Sequence, residues 1–266
     1  MGWLGRIAFW TLPGEACPLA FVLWDLPWEE DDCLDIGRTL LRETIAAVQI
    51  PPGRLLEYML DTPAMAPQCQ DHVEKRQLVL EQLGFRLQRK TSRFEWTKSS
   101  QDAGTAVHLP GREKIIFRSL PEIGDDAFVE AIMQISAGTY DNQISLARQA
   151  KGPLEHARYF FREMQLMQHD PLWWQLAYAQ SGELIGLLMP AKSPTFATIG
   201  YIGVPPEQRG RGYIDMLLNR ATSILVQAGE TYIRADTDVQ NRPMANAFLR
   251  AGYQPFANRI EYYLSL

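Results

Sequence analysis

The stretch that decides the fold reads VPPEQRGRGYI and runs from Val204 to Ile214. An apolar run over 198–204 precedes it and is typical of a strand, and a helical run over 215–227 follows it. Gly210 and Gly212 permit a tight backbone turn that leaves room for a ligand close to the main chain. Because helix N-termini attract negative charge, this strand–loop–helix unit predicts a phosphate or pyrophosphate site.

Two common phosphate motifs do not fit this loop. A P-loop requires a lysine and then serine or threonine after its second glycine, where this chain has Tyr213 and Ile214. A dinucleotide-binding fingerprint requires a third glycine, which is absent at that spacing. Arg209 and Arg211 add positive charge, and an ordinary strand-to-helix turn with two exposed arginines is the alternative to a ligand site.

The loop resembles the acyl-CoA loop of the GCN5-related N-acetyltransferases, the GNAT superfamily. The pattern of that loop is Arg/Gln-x-x-Gly-x-Gly/Ala after a strand that ends in Val-x-Pro. Here Val204 ends the strand, Arg209 takes the first position and Gly212 is the first glycine of the pattern. Ile214 stands where glycine or alanine is usual, a departure that narrows the space for a pyrophosphate.

A second stretch resembles the later motif of the same superfamily, Asn-x-x-Ala-x-x-x-Tyr-x-x-x-Gly-Phe. Asn241 and Gly252 fall at the expected spacing, and Tyr253 replaces the phenylalanine. Phe248 stands where the superfamily often has the tyrosine that protonates the leaving thiolate. The resemblance extends over about 113–266.

The order of the predicted elements and the resemblance together imply an α+β fold of tandem GNAT-like type. We expect a central, mixed, mostly antiparallel sheet that is flanked by helices and splayed at the acyl-CoA site. The N-terminal half echoes the C-terminal half, because 35–41 can be laid beside 212–218, and Leu83-Gly84-Phe85 beside 251–253.

The two halves differ where chemistry would take place. Residues 30–34 correspond to the Gly/Arg loop but carry two aspartates and no glycine, and carboxylates repel a pyrophosphate. We therefore expect the first half to pack against the second half or to shape its acceptor pocket, a solvated acidic loop being the alternative. The predicted domains are a degenerate partial GNAT-like domain at 1–99, a linker at 100–112 and a GNAT acetyltransferase domain at 113–266.

The resemblance implies direct transfer of an acetyl group from acetyl-CoA to a primary amine of a small molecule or a peptide. The main chain of Ile202, Gly203 and Val204 would lie along the pantetheine arm, and the Val204 N–H would polarise the thioester carbonyl. The full predicted donor-binding set is Ile202, Gly203, Val204, Arg209, Gly210, Arg211, Gly212, Tyr213, Ile214, Asn241 and Phe248.

Catalysis of this kind requires a group that takes a proton from the acceptor, because an alkyl amine is mostly protonated at neutral pH. We predict Asp236 as the base and Tyr262 as the acid in place of Phe248, with water as the alternative acid. No cysteine follows Cys69, which excludes a cysteine acyl-enzyme in the second half. Other residues considered on the acceptor side are Tyr140, Asp141, Glu163, His169 and Asp238.

Two other functions are compatible with these motifs. Because Phe248 cannot donate a proton, the chain could be an acyl-CoA-binding or sensing module without transferase activity. A structural protein with two inert domains would bind no CoA, and the Gly/Arg loop argues against it.

Composition sets the remaining expectations. The net charge of -5 excludes a broad basic surface for nucleic acid. The three cysteines lack metal-ligand spacing, so we expect no metal site, and reduced thiols predict a cytoplasmic protein. The sequence has no apolar run long enough for a membrane span. A tandem chain can make internally the pairing that single domains achieve as dimers, so both a monomer and a homodimer are expected.

Overall fold

The computed structural model describes residues 4–11, 18, 20–48, 50–51, 53–65, 70–98 and 114–266. The chain forms two compact units, of which unit 1 comprises Met1–Thr91 with Ala257–Leu266 and unit 2 comprises Ser92–Phe256. The predicted linker at 100–112 lies outside the described residues. The division into domains at 1–99 and 113–266 stays a prediction.

Unit 1 places two helices on one mostly antiparallel sheet. Its strands follow the order β1-β2-β3-β10, in which β1–β2 and β3–β10 are antiparallel and β2–β3 is parallel. Trp24, Tyr58, Leu80 and Tyr262 are buried in its core. The bounds are β1 Arg6–Trp10, β2 Ala20–Asp25, α1 Cys33–Val48, β3 Leu55–Thr62, α2 Val73–Gln82, and those parts of β4 (Arg86–Thr97) and β10 (Gln254–Ser265) that belong to this unit.

Unit 2 has helices on both faces of a sheet with the strand order β9-β8-β7-β6-β5. Alternation along β7 creates the two faces, because Leu187 and Met189 pack in the core beneath α4 and α6 while Leu188 packs beneath α7 and α8. The bounds are β5 Ile116–Ser119, α3 Leu120–Ile123, α4 Asp125–Ile135, α5 Asn142–Lys151, α6 Pro153–Gln165, β6 Gln175–Tyr178, β7 Leu184–Lys192, β8 Ala197–Gly203, α7 Tyr213–Gln227, β9 Tyr232–Asp238 and α8 Arg242–Arg250.

An internal repeat is visible in the geometry of corresponding helix ends. After α2, the Phe85 N–H donates to the Leu80 carbonyl at 2.9 Å across Gly84, whose φ is +89°. After α8, the Tyr253 N–H donates to the Phe248 carbonyl at 3.0 Å across Gly252, whose φ is +84°. Both helices end in the Schellman manner, which depends on glycine in the left-handed region.

The repeat extends to the order of elements. The series β1-β2-α1-β3-α2-β4 matches β7-β8-α7-β9-α8-β10, and the second and third strands of each series pair in parallel. The predicted α+β class, with a mixed, mostly antiparallel sheet flanked by helices in a tandem arrangement, is confirmed. Among the helices that the structure describes, none combines the length and the apolar content needed to cross a bilayer.

Candidate active site

The site in unit 2 begins where β8 and β9 separate. The two strands pair in parallel at Ala197–Ile233 and at Thr198–Arg234, and the described ladder has no later rung. On its other edge, against β7, β8 carries a bulge. Met189 pairs with Tyr201 and Ala191 with Thr198, so three residue steps along β8 face two along β7. A bulge bends its strand and increases its twist. The predicted splay is therefore present, and it opens toward the carboxyl end of β8.

The loop after β8 offers main-chain N–H groups to an anion. A short 3₁₀ turn at Pro206–Gln208 leads into Gly210 and Gly212, whose φ values are +76° and +79°, and α7 begins at Tyr213. A side chain at Gly210 would meet nothing within 4 Å, so the loop borders open space. The first N–H groups of a helix have no intrahelical acceptor. This geometry suits a phosphate or pyrophosphate.

Arg209 anchors this loop through its side chain. Its Nη1 donates to the Gly138 carbonyl at 2.7 Å, and its Nη2 to the carbonyls of Ala137 at 2.7 Å and Ile135 at 3.1 Å. Its Nε donates to the Val204 carbonyl at 3.2 Å. The guanidinium thus joins the end of α4 to the end of β8 and uses its donors on protein carbonyls.

We expect Arg209→Met to destabilise the protein, because four carbonyls, three of them in partly buried hydrogen bonds, lose a charged donor. With about 1.5–3 kcal/mol for one such hydrogen bond and incomplete additivity, the loss is about 3 kcal/mol. Thermal unfolding should shift down by about 6–12 °C. Arg211→Met, an exposed change on the same loop, should shift it by less than about 2 °C. Equal shifts would contradict the anchoring role.

Three other loop positions have distinct environments. The Ile214 side chain packs against the core beneath α7, so the departure from glycine or alanine points a side chain into the protein interior. Tyr213 is buried in the same core, whereas Arg211 is exposed. Asp215, in the first turn of α7, forms an ion pair with Arg250 at 2.7 Å.

The side chains of Asn241 and Phe248 are engaged within the protein. Asn241 Oδ1 caps α8 by accepting the Met244 N–H at 3.3 Å. The Phe248 side chain is 2% exposed, and its ring lies 5.1 Å from that of Phe94 and 5.4 Å from that of Tyr253. The Phe248 ring is therefore a core group. Phe248 could therefore contact a ligand only through its main-chain atoms.

Tyr253 follows the same helix but cannot replace the missing acid. Its hydroxyl is buried 2.7 Å from Thr222 Oγ1, and burial raises its pKa. A buried hydroxyl with a committed partner is a poor proton donor to an external group.

Asp236 lies on the face of β9 opposite α7 and α8. Tyr232, Arg234 and Asp236 alternate with Ile233 and Ala235, which are buried in the core beneath those helices. The Asp236 side chain is 40% exposed and accepts a hydrogen bond from Arg93 Nε at 3.3 Å. The carboxylate is thus accessible, two residues beyond the last rung of the β8–β9 ladder.

Comparison with known proteins places this geometry in a family. Residues 133–253 match the model of the acetyltransferase (GNAT) family. Residues 133–253 therefore form a domain of the GNAT acetyltransferase family. This GNAT domain includes the splay, the loop and α8.

Solved structures share the fold of nearly the whole chain. A GCN5-related N-acetyltransferase from Sphaerobacter thermophilus is 18% identical with a TM-score of 0.61, covering 92% of this chain and 71% of its own. A tandem GNAT protein from the clavulanic acid biosynthesis pathway is 14% identical with a TM-score of 0.52, covering 98% and 78%. A GCN5-related N-acetyltransferase from Kribbella flavida is 14% identical with a TM-score of 0.52, covering 92% and 80%. At these identities the similarity concerns the fold.

Tyr262, predicted as the acid, belongs to unit 1, whereas Gly210 and Gly212 belong to unit 2. It is buried in the core of unit 1, and its hydroxyl donates to Glu81 Oε1 at 3.1 Å. Burial and the Glu81 carboxylate raise its pKa. Tyr262 as the acid stays a prediction from the sequence, and the mechanism proposed below uses water, the alternative acid.

Other acceptor-side candidates in the GNAT domain mainly support structure. Asp238 is buried and accepts the N–H groups of Gln240 at 2.9 Å and Asn142 at 3.3 Å. Asp141 caps α5 through the Ile144 N–H at 3.0 Å. The remaining three are His169, stacked on Trp174 with ring centroids 3.9 Å apart, and the exposed Tyr140 and Glu163.

Sequence reasoning missed two arginines beside Asp236. Arg234 shares its strand face by simple alternation, so the period of two along β9 could have identified it. Arg93 comes from β4, 143 residues earlier in the chain, and no local pattern indicates that contact. Within the described parts of the chain, no three His, Cys, Asp or Glu side chains converge as metal ligands would.

His156, on α6, predicts acid sensitivity of the fold. It is buried, its Nδ1 has no partner among the described groups, and burial with the charges of Arg148 and Lys151 lowers its pKa. The unfolded chain therefore binds this proton at higher pH than the folded chain, so stability is lost as pH falls below about 6.5. His156→Phe should show a smaller drop in melting temperature between pH 7.5 and 5. An unchanged drop would contradict the assignment.

Proposed function

We propose that the GNAT domain transfers an acetyl group from acetyl-CoA to a primary amine of a small molecule or a peptide. The supporting observation is the splay of β8 from β9 beyond Thr198, which is followed along the chain by the Gly210–Gly212 turn and the amide-rich start of α7. A strand edge followed by an anion site offers a long cofactor one surface for its arm and another for its phosphates.

The chain's own groups fit the donor in the following way. Acetyl-CoA supplies an acetyl group activated as a thioester. The N–H groups around Gly210 and Gly212 would bind the pyrophosphate, with no side chain at either glycine to crowd it. The edge of β8 at 202–204 would hydrogen-bond the pantetheine arm and lead its thioester toward Thr198, where β8 and β9 separate. A main-chain N–H nearer that point than Val204 would then hold the carbonyl oxygen on which charge develops.

Asp236 would take the proton that the acceptor ammonium must lose. The amine nitrogen then forms its bond to the acetyl carbon while the carbon–sulfur bond breaks. The departing sulfur receives a proton from water, because Phe248 has no acidic group and Tyr253 is committed to Thr222. The hydroxide left by that water takes the second proton of the nitrogen, which yields the neutral amide. A thiolate is a tolerable leaving group, so this arrangement slows the reaction without preventing it.

The proposal is tested by calorimetry with acetyl-CoA, followed by an assay of thiol release across a panel of primary amines with mass spectrometry of the products. We expect a micromolar Kd and acetylated product for at least one acceptor class. Absence of acetyl-CoA binding to a folded chain would refute the proposal.

A non-catalytic acyl-CoA-binding or sensing module is the second candidate function. The observation that favours it is Phe248, a buried core residue at the position where the superfamily often has an acidic tyrosine. The same experiment separates the two functions, because a sensor binds acetyl-CoA without releasing thiol for any amine. A cytoplasmic location, a monomer or homodimer, and the absence of nucleic-acid and membrane partners stay predictions from the sequence.

A further inference from the structure

Arg234 lies at the vertex of the splay in unit 2. It is paired with Thr198 at the last described rung between β8 and β9, and it shares the strand face of Asp236. Val204, at the start of the loop that contains Gly210 and Gly212, is six residues beyond Thr198. At about 3.3 Å per residue this amounts to about 20 Å. A donor arm that enters from the loop along β8 therefore brings its reactive end toward Arg234.

Aromatic rings hold the Arg234 guanidinium in place. Its Cζ lies 4.6 Å from the ring centroid of Phe196, 5.0 Å from that of Phe256 and 5.3 Å from that of Tyr232. Its Nε donates to the Tyr232 hydroxyl at 2.8 Å. Arginine held by ring faces loses little further freedom when it binds an anion.

Two carboxylates near Arg234 are engaged by other groups. Asp236 pairs with Arg93. The Glu95 carboxylate accepts a hydrogen bond from the Tyr232 hydroxyl at 2.8 Å. Within the part of the chain that the structure describes, Arg234 forms no ion pair. A half-buried arginine fixed in this way is suited to bidentate recognition of a carboxylate.

We propose that Arg234 binds a carboxylate of the acceptor while Asp236 binds its ammonium, so that the substrate is a free amino acid or a similar small zwitterion. This inference rests on the proposed function and specifies its substrate class. Two residues along a strand span about 7 Å. That span accommodates two charge-assisted hydrogen bonds of about 2.8 Å and the short separation between neighbouring amino and carboxylate groups.

The test compares each of several amino acids with the amine that lacks its carboxylate, for example phenylalanine with phenethylamine and histidine with histamine. Acetylation is measured for the parent chain and for Arg234→Met, which keeps the length and ring contacts but removes the charge. Arg220→Met is the matched control, because Arg220 also lies over a ring, 3.9 Å from the centroid of Phe117, while its Nε donates to Gln175. Acetyl-CoA affinity by calorimetry reports whether each variant is folded and binds the donor.

We expect the parent to favour the amino acids in kcat/KM by at least about tenfold, as for other charge-assisted contacts. Arg234→Met should lose about tenfold to a hundredfold with the amino acids and less than about threefold with the amines, and Arg220→Met should resemble the parent. Equal use of both members of each pair, or preference for the amines, would overturn the zwitterion proposal and leave acetyl transfer standing.

Two further outcomes also separate the hypotheses. A preference of the parent for succinyl-CoA over acetyl-CoA that Arg234→Met abolishes would assign Arg234 to an acyl carboxylate and overturn the proposal. A folded parent that binds no acetyl-CoA would refute the proposed function itself, and this proposal with it.

Discussion

Gly212→Glu is expected to weaken acetyl-CoA binding by at least about a hundredfold. Gly212 precedes α7 with a φ of +79°, a conformation that residues with a side chain adopt only with strain. The introduced carboxylate would stand at the helix N-terminus, where the pyrophosphate is proposed to bind. Repulsion between two charges about 4 Å apart amounts to about 4 kcal/mol near a protein surface, which exceeds a hundredfold in affinity.

The control for this variant lies at the opposite end of the same helix. Gly229 follows α7 with a φ of +94°, and a side chain there would meet nothing within 4 Å. Gly229→Glu therefore introduces a comparable backbone strain and the same charge without facing the proposed anion site. Calorimetry should give a Kd within about threefold of the parent for Gly229→Glu. Equal affinities for both variants would place the donor elsewhere.

The sequence was most informative where function depends on the main chain. Gly210 and Gly212 indicate a left-handed turn because few other residues adopt it, and the structure has both in that region. The repeat was visible for the same reason, since Gly84 and Gly252 mark equivalent helix ends. Local conformational demands of this kind are recorded in single residues, so a single sequence carries them.

The sequence was less informative where function depends on distant partners. Arg209 matched a ligand-binding pattern, but its side chain binds carbonyls near Ile135, 74 residues earlier. Phe248 occupies a motif position, yet the turn of α8 directs its ring into the core. Tyr262 follows the GNAT region in sequence, whereas the chain after Phe256 belongs to unit 1. Contacts across such separations depend on tertiary packing, which periodicity does not record.

Asp236→Asn is expected to lower kcat/KM for the acceptor by about a hundredfold at neutral pH, the usual contribution of a positioned base. The amide keeps the size of the side chain and can still accept the hydrogen bond from Arg93, but it neither takes a proton nor attracts an ammonium. Acetyl-CoA affinity should be unchanged, because the donor is proposed to bind along β8 and the loop. The measurement is the initial rate of thiol release as a function of acceptor concentration, with the donor saturating.

Asp35→Asn provides the matched control, because Asp35 of unit 1 pairs with Arg38 at 3.3 Å, the same distance as that between Asp236 and Arg93. It should leave kcat/KM within about threefold of the parent. The pH dependence then tests the role of Asp236 directly. As pH rises toward the acceptor's pKa of about 10, more of the amine is already neutral, so the deficit of Asp236→Asn should shrink. A deficit that stays constant from pH 7 to 9.5 would show that Asp236 positions the acceptor without taking its proton.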